Sequence, residues 1–138
     1  MPQDLLEALD QKPKFCYSSE DYIAIYSTEY EISQIKPDFK KLKRLDLRGL
    51  IVTAPGKDYD FVSRGFFPKY GIPEDPVTGS AHTQLVPYWS EIFGKTELKA
   101  RQISQRGGDI FCEYNDDRVI ISGYAKLYLS GEIEIDSC

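Results

Sequence analysis

Between residues 71 and 89 the chain reads GIPEDPVTGSAHTQLVPYW, which places the carboxylate of Asp75, the hydroxyls of Thr78 and Ser80, and the sequence's single imidazole, His82, within one short stretch. A loop ending in Gly79 and Ser80 that leads directly into an apolar run has the pattern of a helix start, where backbone N–H groups lie unpaired and can hold an anion. Such an anion gains about 0.3–1 kcal/mol from an exposed helix dipole. Asp75 precedes Pro76, which biases it toward an extended backbone and aims its carboxylate across the loop. Thr78 or Ser80 is expected to supply a capping hydroxyl, and Gly79 lets a ligand approach the backbone. His82 is read either as a proton carrier or as a packed, hydrogen-bonded imidazole. Taken singly, Asp75 is also a common turn acid and Ser80 a common cap. The stretch lacks the lysine spacing of a phosphate loop and the G-x-S-x-G pattern of a hydrolase elbow. Glu74 adjoins Asp75, but successive residues of an extended stretch point to opposite sides.

These groups need elements to hold them. A substantial helix is expected from Gly79 onward, with Pro87 bending it or beginning a new turn. Smaller helices are expected over residues 2–9, from a capping box formed by Thr28 and Glu31, and over residues 38–45. In the last of these, Phe39, Leu42 and Leu45 recur at helical spacing, so the basic run KKLKR forms its wet face. Strand patterns occupy KFCYS, YIAIYS, GLIVTA and YDFVSRGFF, then residues 100–105, 110–114, 118–122 and 126–135. In the final segment Leu127, Leu129, Ile133 and Ile135 share one parity, which predicts a strand with one buried face. About eight strands with one main helix make an α+β fold, a curled sheet packed around its helix.

At 138 residues with 41% hydrophobic content, one domain with a real core is the expectation for residues 1–138. A net charge of -5 argues against general binding to nucleic acid or to an anionic membrane. Cys16, Cys112 and Cys138 are odd in number and widely spaced, so neither a disulfide framework nor a zinc site is suggested, and a cytoplasmic setting fits. Cys16 and Cys112 sit among apolar or aromatic neighbours and are expected to be buried in strands. No metal or nucleotide motif is present, so no cofactor is expected.

The blocks EDPVTGSAHTQLVPYW, VTAPGKDYDFVSRGFFP, LKARQISQRGGDIF and RVIISGYAKLYLSGEIEI together resemble the C-terminal half of the PhzF family, phenazine-biosynthesis-like isomerases that share the diaminopimelate epimerase fold. The resemblance implies a two-lobed protein about twice this length, each lobe a barrel-like sheet around a central helix, with substrate in the cleft between the helix N-termini. It implies active-site roles for Asp75 and Ser80, with the Gly79 and Ser80 amides placed for a substrate carboxylate; Thr78 and His82 join them as candidate substrate-binding residues. It further implies cofactor-free proton transfer on a small carboxylate-bearing metabolite, with the catalytic glutamate and another histidine in the N-terminal lobe. No segment of this chain matches that lobe. The chain alone is therefore expected to be inactive, with its partner a first lobe or a second chain, including a homodimer. The rival expectation is a noncatalytic binding or scaffold domain that keeps the fold.

Overall fold

The computed structural model describes residues 3–134. Its elements run α1 (Gln3–Ala8), β1 (Phe15–Ser18), β2 (Tyr22–Ile25), α2 (Glu29–Gln34), α3 (Phe39–Leu42), β3 (Leu50–Pro55), β4 (Phe61–Phe67), a 3-10 turn (Pro68–Tyr70), β5 (Ile72–Asp75), α4 (Gly79–Phe93), β6 (Glu97–Gln102), β7 (Gly108–Asn115) and β8 (Arg118–Ser122). The strands form one mixed sheet in the order β1-β2-β3-β4-β6-β7-β8, with β5 paired to β4. The sheet is not closed: β1 and β8 are its two ends.

Strands β2 and β3 read as nearly continuous apolar runs because both of their faces are covered, and β4 is buried on both faces at its two ends. Tyr22, Ala24, Leu50, Val52, Ala54, Val62 and Phe66 pack with Leu5, Ile32, Leu42 and Leu45 from the three small helices and their flanks. Residues of the opposite parity, Ile23, Ile25, Ile51, Phe61 and Phe67, join Leu98 and Ala100 of β6 and Ile110 and Cys112 of β7 around Ala81, Leu85, Val86 and Trp89 of α4. The period of two in the strands thus meets the period of 3.6 in α4. A polar bond fastens this packing: Trp89 Nε1 donates to Thr53 Oγ1 at 3.1 Å, and Thr53 Oγ1 donates to the Val62 carbonyl at 2.7 Å.

Local signals explain the small helices. Thr28 and Glu31 form the full capping box of α2, and Asp38 caps α3 by accepting from the Lys40 and Lys41 N–H groups. Leu42 and Leu45 are buried while Lys40, Lys43 and Arg44 are exposed, as helical spacing predicts. Helix α4 runs through Pro87 as one element and stops at Gly94, whose φ of 64° and N–H bond to the Ser90 carbonyl make a left-handed cap.

Several expectations are corrected. Residues 123–134 carry no strand, and Leu127, Tyr128, Leu129 and Ile133 are exposed; Ile135, the last residue of that expected strand, lies outside the described residues, as does Pro2 of the first helix. The eighth strand is instead β5, whose short, half-exposed IPED sequence is poor in strand formers. Its Pro73 is tolerated because β5 pairs on one side only. Finally, α4 has no side-chain cap; the Thr78 and Ser80 hydroxyls are engaged elsewhere, as described below. Cys112 is buried on β7, and burial pushes its thiol up to about 11, whereas Cys16 on β1 is only half-buried. Cys138 lies outside the described residues. No helix among those residues is long and apolar enough to cross a membrane.

Candidate active site

The site begins with an arrangement of strands on one edge of β4. The first half of β4 takes β6 in parallel, with Ser63 opposite Gln102. Its second half takes β5 antiparallel, with Gly65 opposite Asp75. Gln102 and Asp75 therefore stand two places apart along the same strand, and the loop of Pro76 to Thr78 leaves β5 over the Gln102 side chain.

Gln102 is 1% exposed and every hydrogen-bonding group of its carboxamide is used. Oε1 accepts the Thr78 N–H at 2.8 Å; Nε2 donates to the Asp75 carbonyl at 2.7 Å and to Thr78 Oγ1 at 3.1 Å. With Thr78 Oγ1 accepting from Gln102, its proton goes to Asp75 Oδ2 at 2.5 Å. Asp75 is thereby fixed by two residues, while its Oδ1 has no protein donor among the described residues. Glu74, on the opposite parity of β5, turns away and accepts from Arg64 Nε and Nη2 at 2.8 and 3.0 Å. Arg64 also donates from Nη1 to the Ile32 and Ile35 carbonyls, both at 2.9 Å, which ties the end of α2 to the sheet.

Ser80 stands in the first turn of α4 and is exposed. Its Oγ accepts from Arg48 Nη2 at 3.1 Å. Arg48 precedes β3, where Gly49 lets the backbone pass against Phe67; a Cβ on Gly49 would lie 2.3 Å from Phe67 Cδ1. The guanidinium stacks over the Phe67 ring at 5.6 Å. Behind it, Asp21 is fully buried and accepts from Arg48 Nε at 2.9 Å and Nη2 at 2.5 Å. Gln84, one turn down α4 from Ser80, donates to Asp21 Oδ2 at 2.8 Å. The hydrogen bond that Arg48 donates to Asp21 raises the Arg48 pKa above its ordinary value, so the guanidinium remains charged.

Arg48, Phe67, Tyr70, Ile72, Asp75, Thr78 and Ser80 line one open depression of about 240 Å³. The first N–H groups of α4, those of Gly79, Ser80 and Ala81, have neither an intrahelical partner nor a side-chain cap. The mouth thus combines a fixed carboxylate, a hydroxyl, a guanidinium and the positive end of a helix, beside an apolar wall. Larger depressions occur elsewhere on the surface: one, lined by Tyr17, Tyr88, Tyr114, Glu91 and Lys95, lies beside the C-terminal half of α4, and another is lined by Gly79, Arg101, Arg106 and Asp109.

The sequence-predicted residues divide. Asp75, Thr78 and Ser80 meet at this mouth, while Gly79, between Thr78 and Ser80 in the chain, lines a second depression with Arg101, Arg106 and Asp109. His82 lies beneath it, fully buried, with Nδ1 2.8 Å from the Thr78 carbonyl and its ring 5.9 Å from that of Phe61. A carbonyl only accepts, so Nδ1 carries the proton. Burial lowers the pKa of this imidazole, and Nε2 has no partner. Sequence reasoning missed Arg48, Asp21, Gln84 and Gln102. The available signals were slight: Gln102 shares the buried parity of Leu98 and Ala100, and Asp21 immediately precedes the apolar run of β2.

The family model for phenazine biosynthesis-like proteins, PhzC-PhzF, matches residues 5–131. The chain belongs to this family. It is 46% identical over 97% of its length to an isomerase of Pseudomonas aeruginosa named as uncharacterized, covering 52% of that protein. To the mouse phenazine biosynthesis-like domain-containing protein 2 it is 39% identical over 95% of its length, covering 48% of that protein. The crystal structure of a PhzF-family phenazine biosynthesis protein from Enterococcus faecalis superposes with a TM-score of 0.88 at 47% identity, covering 94% of this chain and 50% of that one. The chain spans about half the length of the curated PhzF relatives it matches.

Proposed function

We propose that this chain forms one half of a PhzF-type isomerase or epimerase site, which moves a C–H proton of a small carboxylate-bearing metabolite without a cofactor. The observation that carries this reading is the convergence of the Asp75 carboxylate and the uncapped first turn of α4 on one depression. The substrate carboxylate rests against the Gly79 and Ser80 amides, where fixed donors also stabilise the charge that develops when a neighbouring C–H is deprotonated. Asp75, immobilised by Thr78, accepts from a polar substituent and sets the orientation that proton transfer requires. His82 supports the mouth from below through the Thr78 carbonyl.

The base comes from a facing surface, a glutamate of a companion lobe or of a second chain, including a second copy of this one. Side chains from β2, β3, β4, β6 and β7 pack on α4, which supports a diaminopimelate epimerase-like lobe with the sheet curled about its central helix.

The test is nuclear magnetic resonance on the chain in D2O with a panel of small carboxylates. Shifts at the Gly79 and Ser80 amides without loss of substrate C–H signal are the expected result. Deuterium exchange that disappears in Asp75→Asn would overturn the half-site. Silence at those amides would overturn carboxylate binding and favour a noncatalytic binding domain.

A further inference from the structure

We propose that Arg48 is the charge-reading residue of this mouth: it holds Ser80 as a hydrogen-bond donor and presents its own outer N–H groups to a ligand carboxylate. This role presupposes the carboxylate site proposed above and adds to it a residue outside the motif around Ser80.

The division of the guanidinium protons carries the assignment. Asp21 is engaged side-on through Nε and Nη2, and Nη2 also bonds Ser80 Oγ. The two protons of Nη1 have no protein acceptor among the described residues. Since Ser80 Oγ accepts from Arg48, its own proton is directed elsewhere, and the depression that Ser80 lines is the open direction. The same contact thus polarises two groups toward one place, the serine proton and the free edge of the arginine.

The support behind Arg48 is unusually complete. Asp21 is fully buried and is held in turn by Gln84, a residue of α4 itself, through Nε2 at 2.8 Å, with the Asp21 N–H 3.3 Å from Gln84 Oε1. Arg48 is therefore anchored to the helix whose N-terminus it flanks, with Phe67 beneath its plane. A planar fork fixed in this way loses little freedom when it meets a planar carboxylate. Two other acids stand nearby. Glu20 lies 3.6 Å from Nη2 and is mostly exposed, so it competes only weakly; Asp75, across the depression, gives Oδ2 to Thr78 and leaves Oδ1 open, and among the described residues Arg48 pairs with Glu20 and Asp21 rather than with Asp75. Arg48 is the one cationic side chain among the lining residues.

The experiment compares benzoate with benzamide, which share a ring suited to the Phe67, Tyr70 and Ile72 wall but differ in charge. Binding is followed at the Gly79 and Ser80 amides by nuclear magnetic resonance. In the native chain benzoate is expected to bind at least about tenfold more tightly than benzamide. Arg48→Lys keeps the charge but not the fork, and is expected to lose most of that preference. Arg48→Met combined with Asp21→Asn, which avoids stranding a buried carboxylate, is expected to abolish it. Native preference in Arg48→Lys, or in the folded double variant, would overturn the role of Arg48 and leave the carboxylate site standing. Failure of benzoate to shift the native amides would overturn the carboxylate site itself. If the double variant does not fold, Arg48→Lys decides.

Discussion

The carboxamide of Gln102 grips Thr78 from two sides, accepting its backbone N–H at 2.8 Å and donating to its hydroxyl at 3.1 Å. A side chain from β6 thereby sets the proton direction of a hydroxyl that in turn fixes Asp75. Gln102→Ala removes all of these bonds and leaves the buried Thr78 N–H without an acceptor, a loss of about 1–3 kcal/mol. Gln102→Glu keeps the acceptor but not the donors, and should also displace Asp75. Urea denaturation measures the first effect; the Asp75 amide shift reports the second. Native stability in Gln102→Ala would remove Gln102 as the organiser of the loop.

Arg64 provides a second test of how the loop is seated. Its side chain, 13% exposed, joins Glu74 to the Ile32 and Ile35 carbonyls. Arg64→Met leaves those carbonyls and a half-buried carboxylate without their charged partner, and should cost at least about 2 kcal/mol. Glu74→Gln retains an acceptor for one arginine nitrogen and should cost less. Equal stability of the two variants in urea would show that the helix carbonyls contribute nothing.

The buried imidazole of His82 makes a prediction in pH. Burial lowers its pKa, so between the unfolded value of about 6.5 and the depressed folded value the unfolded chain binds a proton that the folded chain does not. This contribution to stability is fully present above about pH 6.5 and is lost as the pH falls, with a slope of up to about 1.4 kcal/mol per pH unit. Denaturation curves from pH 8 to 5 should therefore fall more steeply for the native chain than for His82→Gln. Parallel slopes would exclude His82 as their source.

How far the sequence could be read depended on whether each signal was local. The capping box of Thr28 and Glu31, the helix starting at Gly79 and the strand patterns of β2 to β4 were all legible, because neighbouring residues determine them. The four blocks around the Asp75 motif carried the family assignment. The segment over residues 126–135 has the alternation of a strand, but alternation says nothing about whether a partner strand lies alongside. The reverse failure occurred at β5, where pairing with β4 overrides a poor strand sequence. Within the site, Asp75 and Ser80 were found by their spacing, whereas Arg48 and Gln102 come from distant positions and meet them only because of the sheet order. The expected caps at Thr78 and Ser80 failed for the same reason: propensity identifies a hydroxyl able to cap, and tertiary partners decide where it points.

The double covering of β3 also has a kinetic consequence. This strand pairs with β2 on one side and β4 on the other, and Leu50, Ile51, Val52 and Ala54 are all fully buried between the small helices and α4. Amides there can exchange with solvent only when both layers part, so they should report the global unfolding free energy. The first turn of α4, exposed at Ser80 and joined to the rest through side chains, lies lower on that scale. The mouth that must admit a ligand is therefore edged by backbone that opens more easily than the strand directly following Arg48.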